Sequence, residues 1–298
     1  MKIFDCTLYY DEDLILDARL NILDKYIDKF IICEATFTHS GRKKKLNFNI
    51  EKFQKFKDKI IYIIQDTEPK DIIYDDISKK TENSINWRAN AVKRISHQRN
   101  KLLDEVNKHA DKDDFILYSD NDEIPNLELH DITKEKSKII IFEQDLYYFK
   151  FNLLCDRIKW YGTRAIKKKD LIDFEWLREV KPKKYPFYRL DTILKKNKYT
   201  NLRILNNGGW HFTRVISPEE IHEKELDAEH HDEYRASNKN PERIRDLINR
   251  RMIDHDHLAD SRENKYGKEF ALKQLSLDKM PIYIRENQDK YKEFLDLN

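Results

Sequence analysis

Three acids in a run of four, Asp120-Asn-Asp122-Glu123, close a short apolar segment, Phe115-Ile-Leu-Tyr-Ser119, and Ile124-Pro125 follow at once. Five such residues have the length and type of a buried strand, and the proline stops its ladder, so Asp120 and Asp122 fall at the strand's carboxyl end. In open α/β sheets that edge is where ligands bind. Carboxylates one residue apart on a bend can turn their oxygens toward one hard divalent cation, which substrate phosphates can also hold. The chemistry this suits is a nucleotide-dependent transfer. The same run also suits a solvated turn in which Asp122 caps the next segment.

A second group of reactive types stands at Asn206-Asn-Gly-Gly-Trp-His-Phe-Thr213. The glycines let the backbone approach something closely, Trp210 offers a ring face, and His211 offers an imidazole that can complete a metal shell begun by Asp120 and Asp122. Arg99 lies four residues from both Ile95 and Leu103 on a helical pattern, which puts its guanidinium near the buried face. There it needs an anion, either a structural carboxylate or a diphosphate above the strand ends. Glu34 closes another apolar run and is a candidate for ribose or base, or else a cap for its own loop. Arg42-Lys-Lys-Lys45 has the charge of a phosphate clamp but reads as a solvated loop.

The elements that must position these groups alternate strand and helix. Residues 2–9 predict a first strand; Asp11-Glu-Asp13 opens an amphipathic helix with Leu16, Leu20 and Leu23 on one face. Lys29–Glu34 and Lys59–Ile64 predict buried parallel strands, with a short helix over residues 50–57 between them. Residues 65–84 predict a long polar loop of the kind that forms lids. A helix follows over Trp87–His109, its stripe being Ala91, Ile95, Leu102 and Val106. Two strands, residues 138–142 and 146–151, come after the acidic run, with Trp160, Tyr161 and Trp176 beyond as rings for the core or for a sugar floor. Ser217-Pro-Glu-Glu220 starts a mainly helical C-terminal stretch holding His222, His230, His231, His255 and His257. The fold class is therefore α/β, a Rossmann-like mixed sheet flanked by helices over residues 1–215, with a helical extension over 216–298 packed on it.

Composition removes several function classes. The 57 Lys and Arg against 55 Asp and Glu leave a formal charge of +2 with both signs interspersed, so no basic face for nucleic acid is expected. Cys6, Cys33 and Cys155 lack the pairing of a disulfide framework or zinc site, which suits a reducing compartment. Neither an apolar signal core nor a membrane-spanning apolar run occurs, so a soluble, cytoplasmic protein without a transmembrane segment is expected. P-loop, Gly-x-Gly-x-x-Gly, Gly-x-Ser-x-Gly and His-Glu-x-x-His patterns are all missing.

Taken together the stretches resemble glycosyltransferase family 17, whose best-known members are β-1,4-N-acetylglucosaminyltransferases. The resemblance rests on Asp5 to Leu20 (Asp5, Glu12, Leu14, Arg19, Leu20), Asp28-Lys-Phe-Ile-Ile-Cys-Glu34 with Thr38-x-Ser-Gly41, and Lys59-Ile-Ile. It continues through Gln98-Arg99, Ser119-Asp-Asn-Asp-Glu-Ile-Pro125 and Gly208-Gly-Trp-His-Phe212. It implies a GT-A-like fold, a UDP-sugar donor such as UDP-N-acetylglucosamine, a glycan or glycoconjugate acceptor, Mn²⁺ or Mg²⁺, and inversion to a β-linkage. Carried over by residue, it has Asp120 and Asp122 hold the metal on the donor diphosphate, makes His211 a further metal or phosphate ligand and sets Arg99 near the phosphates. Asp5, Glu34, Arg99, Asp120 and Trp210 become contacts to the donor. Animal members carry a membrane anchor for the Golgi that this chain lacks, which points to a bacterial or viral surface glycan as acceptor. An inverting transfer needs a carboxylate to take the acceptor proton, and the candidates in order are Glu123, Asp145 and Asp232. A metal-dependent nucleotidyl or phosphoryl transferase, or a non-catalytic carbohydrate or nucleotide-sugar binding module, are the alternatives.

Overall fold

The computed structural model describes residues 1–73, 85–186, 188, 197–259 and 265–297. The chain opens with β1 (Ile3–Tyr9), α1 (Asp13–Leu23), β2 (Lys29–Ala35) and β3 (Ile60–Gln65), then α2 (Ile85–His109) and β4 (Phe115–Tyr118). These four strands pair in parallel, β4-β1-β2-β3. Successive side chains on each strand alternate between two cores. Phe30, Ile32, Phe115 and Leu117 pack with the Ile15, Leu16 and Leu20 stripe of α1. Cys6, Ile31, Ile116 and Tyr118 face Leu102 and Val106 of α2 on the other side. Burial on both faces explains why these strands read as unbroken apolar runs. Each Leu or Ile so buried contributes about 1.5–3 kcal/mol.

The sheet grows by β6 (Ile139–Phe142), β9 (Arg164–Lys167) and β10 (Leu202–Leu205) to seven strands, β9 running antiparallel between β4 and β6. The expected mixed α/β sheet with helices on its faces is what forms.

At the acidic run the structure departs from a simple strand end. Pro125 does not end the pairing; the chain turns at Asp120–Asp122 and enters a second sheet as β5 (Glu123–Pro125), an edge strand where a proline's missing N–H costs nothing. That sheet also holds β7 (Gln144–Tyr148), β8 (Leu153–Trp160) and β11 (Gly209–Thr213), with β14 (Lys273–Gln274) at its far edge. The acidic run is thus a corner between two sheets. Strand β7 also begins and ends earlier than expected, the chain reversing at Phe149 with φ 65°. A short helix, α3 (Phe174–Glu179), lies against α2 and β4.

The C-terminal stretch is helical in α4 (Pro218–Glu225), α5 (His231–Ala236), α6 (Pro241–Asn249), α7 (Ile282–Glu286) and α8 (Gln288–Tyr291), and it also carries the hairpin β12 (Met252–His255) and β13 (Tyr266–Ala271). Helix α4 begins with the capping box anticipated at Ser217, whose side chain and that of Glu220 satisfy each other's backbone N–H groups. Residues 74–84 of the expected lid lie outside the described part of the chain. The helices and strands are joined by a buried ion pair, Arg19 of α1 with Asp5 of β1 at 2.6 Å, both side chains 0% exposed.

Arg19 spans the corner. Its Nη1 donates to the backbone carbonyls of Asp120, Asn121 and Glu123 at 3.2, 3.3 and 2.9 Å, and its Nη2 to Ser119 Oγ at 2.7 Å. Removing one partner of such a pair leaves an uncompensated charge indoors, so Arg19→Ala is expected to lower unfolding free energy by about 3–5 kcal/mol. Urea titration checks this, and Arg19→Lys should recover only part because an ammonium cannot reproduce the fork.

Candidate active site

The corner opens into a cleft of about 260 Å³ at the carboxyl ends of β1 and β2. Leu8, Ala35, Phe37 and Ile95 are among its apolar lining; Asp120, Asn121, Asp122, Arg99, His211 and Lys224 are among its polar and charged lining. Strand β11 is antiparallel to β5 with His211 opposite Glu123, and this pairing brings the imidazole to the acidic corner. His211 Nε2 stands 3.3 Å from Asp122 Oδ2. Burial alone would lower the imidazole's pKa, but the charge and hydrogen bond of Asp122 prevail and raise it above its ordinary value. The same contact, working against burial, holds Asp122 below the usual carboxylate range.

Asp120 is held differently. Its Oδ2 accepts from Arg178 Nη2 at 2.9 Å, its Oδ1 from Tyr118 Oη at 3.3 Å, and Arg99 Nη2 lies 3.8 Å away. Burial would push this carboxyl up; Arg178 and then Arg99 overcome it and leave the group well below its normal range. Arg99 has the structural carboxylate that its position called for, donating to Glu175 at 2.9 Å, and it lines the cleft as well.

Glu123 does not have the geometry of a general base. It is 1% exposed, and its oxygens accept from both Nη atoms of Arg178 at 2.8 and 2.9 Å, from Trp160 Nε1 at 2.6 Å and from the Asp120 N–H at 3.0 Å. A carboxylate so saturated orients the corner instead of exchanging protons. Gly162 is required beside it, since a Cβ there would stand 2.3 Å from Glu123 Cδ.

Other expected contacts fall elsewhere. Asp5 is beneath the cleft floor, both its oxygens taken by Arg19. Glu34, 0% exposed, accepts from Lys44, from the Asn47 and Phe48 N–H groups at 2.7 and 3.1 Å and from Tyr62 Oη at 2.8 Å, so it ties down its own loop and is closed to ribose or base. Trp210 neighbours His211 on a strand and therefore points to the opposite face. Asp145 is its register partner on β7, shares that face and pairs with Lys159, away from the cleft. Asp232 falls in α5, and its side chain lies outside the described part. Gly208 and Gly209 serve the fold, not a ligand: a Cβ on Gly209, φ +135°, would stand 2.1 Å from the Ile124 carbonyl oxygen.

Local pattern gave no sign of Arg178, Lys224 or His39. Arg178 comes from the short α3 and clamps two acids at once. Lys224 of α4 pairs with Glu12 at the start of α1. Burial and the charge of Arg99 push His39 down to about 4, so the cleft carries a neutral imidazole there. Trp160 was visible as a ring, though its hydrogen bond to Glu123 was not.

Donor chemistry in the charged lining fits a divalent cation. Asp122 is the carboxylate of the run left without an arginine, and among the described residues the buried Nδ1 of His211 and Oδ1 of Asn121 have no hydrogen-bond partner. Among the described residues no group of three or more His, Cys, Asp or Glu side chains is placed to hold a metal ion, so Asp120, Asp122 and His211 do not form the expected three-ligand set, Asp120 being turned to Arg178 and Arg99.

The model of glycosyltransferase family 17 matches residues 1–297. The chain belongs to that family. It is accordingly a glycosyltransferase, with a sugar donor and a glycan acceptor as its substrates. A search of curated proteins found no significant match. Among solved structures, the inositol-1-phosphate CTP transferase from T. maritima is similar with a TM-score of 0.31 and 8% identity, over 74% of this chain and 94% of that one. No helix among the described residues is long and apolar enough to cross a membrane, and Cys6, Cys33 and Cys155 are free and buried.

Arg178→Met is expected to cut kcat/KM of the glycosyltransferase by at least about tenfold, because Asp120 and Glu123 lose their shared counter-charge; steady-state kinetics beside a thermal melt separates this from unfolding. The His211–Asp122 pair carries a pH signature without any cation. A raised folded pKa means its stabilisation is complete below the unfolded value of about 6.5 and is lost as pH rises through the higher folded value. Melting temperatures across that window should therefore fall toward those of His211→Gln as pH increases.

Proposed function

We propose that this family 17 enzyme transfers a sugar, N-acetylglucosamine in the first instance, from a UDP-sugar to a glycan hydroxyl with inversion. In this reading the protein would hold Mn²⁺ or Mg²⁺ as a counter-charge for the donor diphosphate. The observation that carries it is the meeting of Asp122 and His211, residues 89 apart in the chain, in a cleft that Arg99 and Lys224 also line.

Asp122 and His211 would hold the cation, Asp120 being committed to its arginines. Bound there, the cation would offset charge that develops on the departing diphosphate. The chain's own groups supply the rest. Arg99 and Lys224 line the cleft and add positive potential toward phosphate. Gln98 is fixed by donating from Nε2 to the Cys33 carbonyl at 2.9 Å, which orients its amide in the cleft wall. The corner held by Arg19 and Arg178 keeps the carboxylates pre-set, so little reorganisation accompanies transfer. Of the acids lining the cleft, Glu12 is spent on Lys224 and Asp227 on Arg42 and Ser40, whereas Asp122 and Glu229 retain lone pairs to offer a proton or a ligand.

Asp122→Asn is expected to keep the fold and lose transfer by at least about a hundredfold, measured as UDP released from the UDP-sugar in the presence of an acceptor. Full activity of that variant would remove the metal role, and consumption of a nucleoside triphosphate with no sugar moved would replace the reaction. Mn²⁺ should raise the melting temperature of the wild type and not of Asp122→Asn. The rise should grow with pH, since a ligating imidazole must be neutral.

A further inference from the structure

A second cavity, of about 220 Å³, lies on the opposite face of the β5–β11 pair from the catalytic cleft, and the transfer reaction makes no use of it. Pro125 and Asn126, which run straight on from the acidic corner, form one side with Trp210; the end of α1 and helix α7 form the others. Three half-buried rings, Tyr26, Trp210 and Tyr283, line it. The indole N–H of Trp210 donates to the Lys279 carbonyl at 3.0 Å, which fixes the ring plane and uses its one donor. What Trp210 offers a ligand is a π face.

The polar lining selects among ligands. Asp24 is paired with Lys59 at 3.0 Å and Lys55 at 3.5 Å, and Glu128 with Lys25 at 3.8 Å, so Glu286 is the lining carboxylate without an ion-pair partner among the described residues and a phosphate-bearing ligand finds no free cation to meet. A basic peptide fares poorly too, because the chain's own cations hold the ring positions it would seek: Lys25 Nζ is 4.9 Å from the Tyr26 ring centre and Lys290 Nζ 5.9 Å from that of Tyr283. A neutral pyranose needs no free cation, and Trp210 leaves it a ring face that neither Lys25 nor Lys290 holds. Its C–H face stacks on an aromatic ring, its hydroxyls donate to carboxylates such as Glu286, and they accept from an amide such as Asn126, whose Oδ1 is already engaged by the Leu129 N–H at 3.1 Å.

We infer that this cavity is an anchoring subsite for a neutral sugar unit of the acceptor glycan, remote from the bond being formed; that the occupant belongs to an acceptor rests on the proposed function. Holding one unit of a multi-sugar chain raises the local concentration of the others around the catalytic cleft.

Saturation-transfer NMR on the full chain with tetrasaccharides of glucose, mannose and N-acetylglucosamine tests this. At least one is expected to bind wild type and Asp122→Asn alike, to resist displacement by UDP, and to bind at least about fivefold more weakly to Tyr283→Ala and to Glu286→Gln. The second of these alters an exposed side chain and leaves the fold intact. The inference is overturned if no tetrasaccharide binds, if both variants bind as wild type does, if UDP or Asp122→Asn abolishes binding, or if tetralysine displaces the sugar. Should binding behave as expected in a chain that releases no UDP from any donor, the site stands and only the donor chemistry falls.

Discussion

The charged lining of the cleft hangs from the guanidinium of Arg19, which sits under the acidic corner and draws three of its backbone carbonyls and one hydroxyl inward while Asp5 neutralises it from below. With the carbonyls turned down, the carboxylates of Asp120 and Asp122 have only the cleft to face. An apolar residue at this place could pack equally well but would leave the corner's backbone groups without partners. The arginine fixes the direction of the loop more than it adds net stability, in keeping with how buried ion pairs generally behave.

A second cation, Arg178, works from above. It shares itself between Asp120 and Glu123, so two of the three acids in the run are held by arginines and Asp122 alone is left for His211. Run of sequence suggests three equivalent carboxylates; the structure gives each a different job. One leans on two guanidinia, one is sealed beneath a tryptophan, and one faces the imidazole.

Much of this was legible in the sequence, for reasons that can be stated. The strands of the parallel core announce themselves because both their faces are covered, and α1 and α2 because their apolar stripes keep a 3.6-residue period. Asp120 and Asp122 stood out at a strand's end, His211 beside two glycines and Arg99 near the buried face of its helix, and these four line one cleft. What failed were judgements of direction. Trp210 and Asp145 look as available as His211 until the register of β11 against β7 sends them to the other face. Glu34 and Asp5 look like ligand contacts until their oxygens are found filled by lysine, tyrosine, backbone N–H and arginine groups. Arg178 had no local signal, since its partners lie more than fifty residues away.

The reach of α4 back to the amino terminus has a consequence for biosynthesis. Lys224 meets Glu12 across 212 residues, and Asp227 meets Arg42 and Ser40 across 185 and 187. The parallel core can assemble on the ribosome as soon as β4 emerges, yet the wall that Lys224 and Asp227 provide cannot be added until α4 has followed it. A nascent chain therefore displays its acidic corner before that corner is enclosed, and competence for transfer waits for α4.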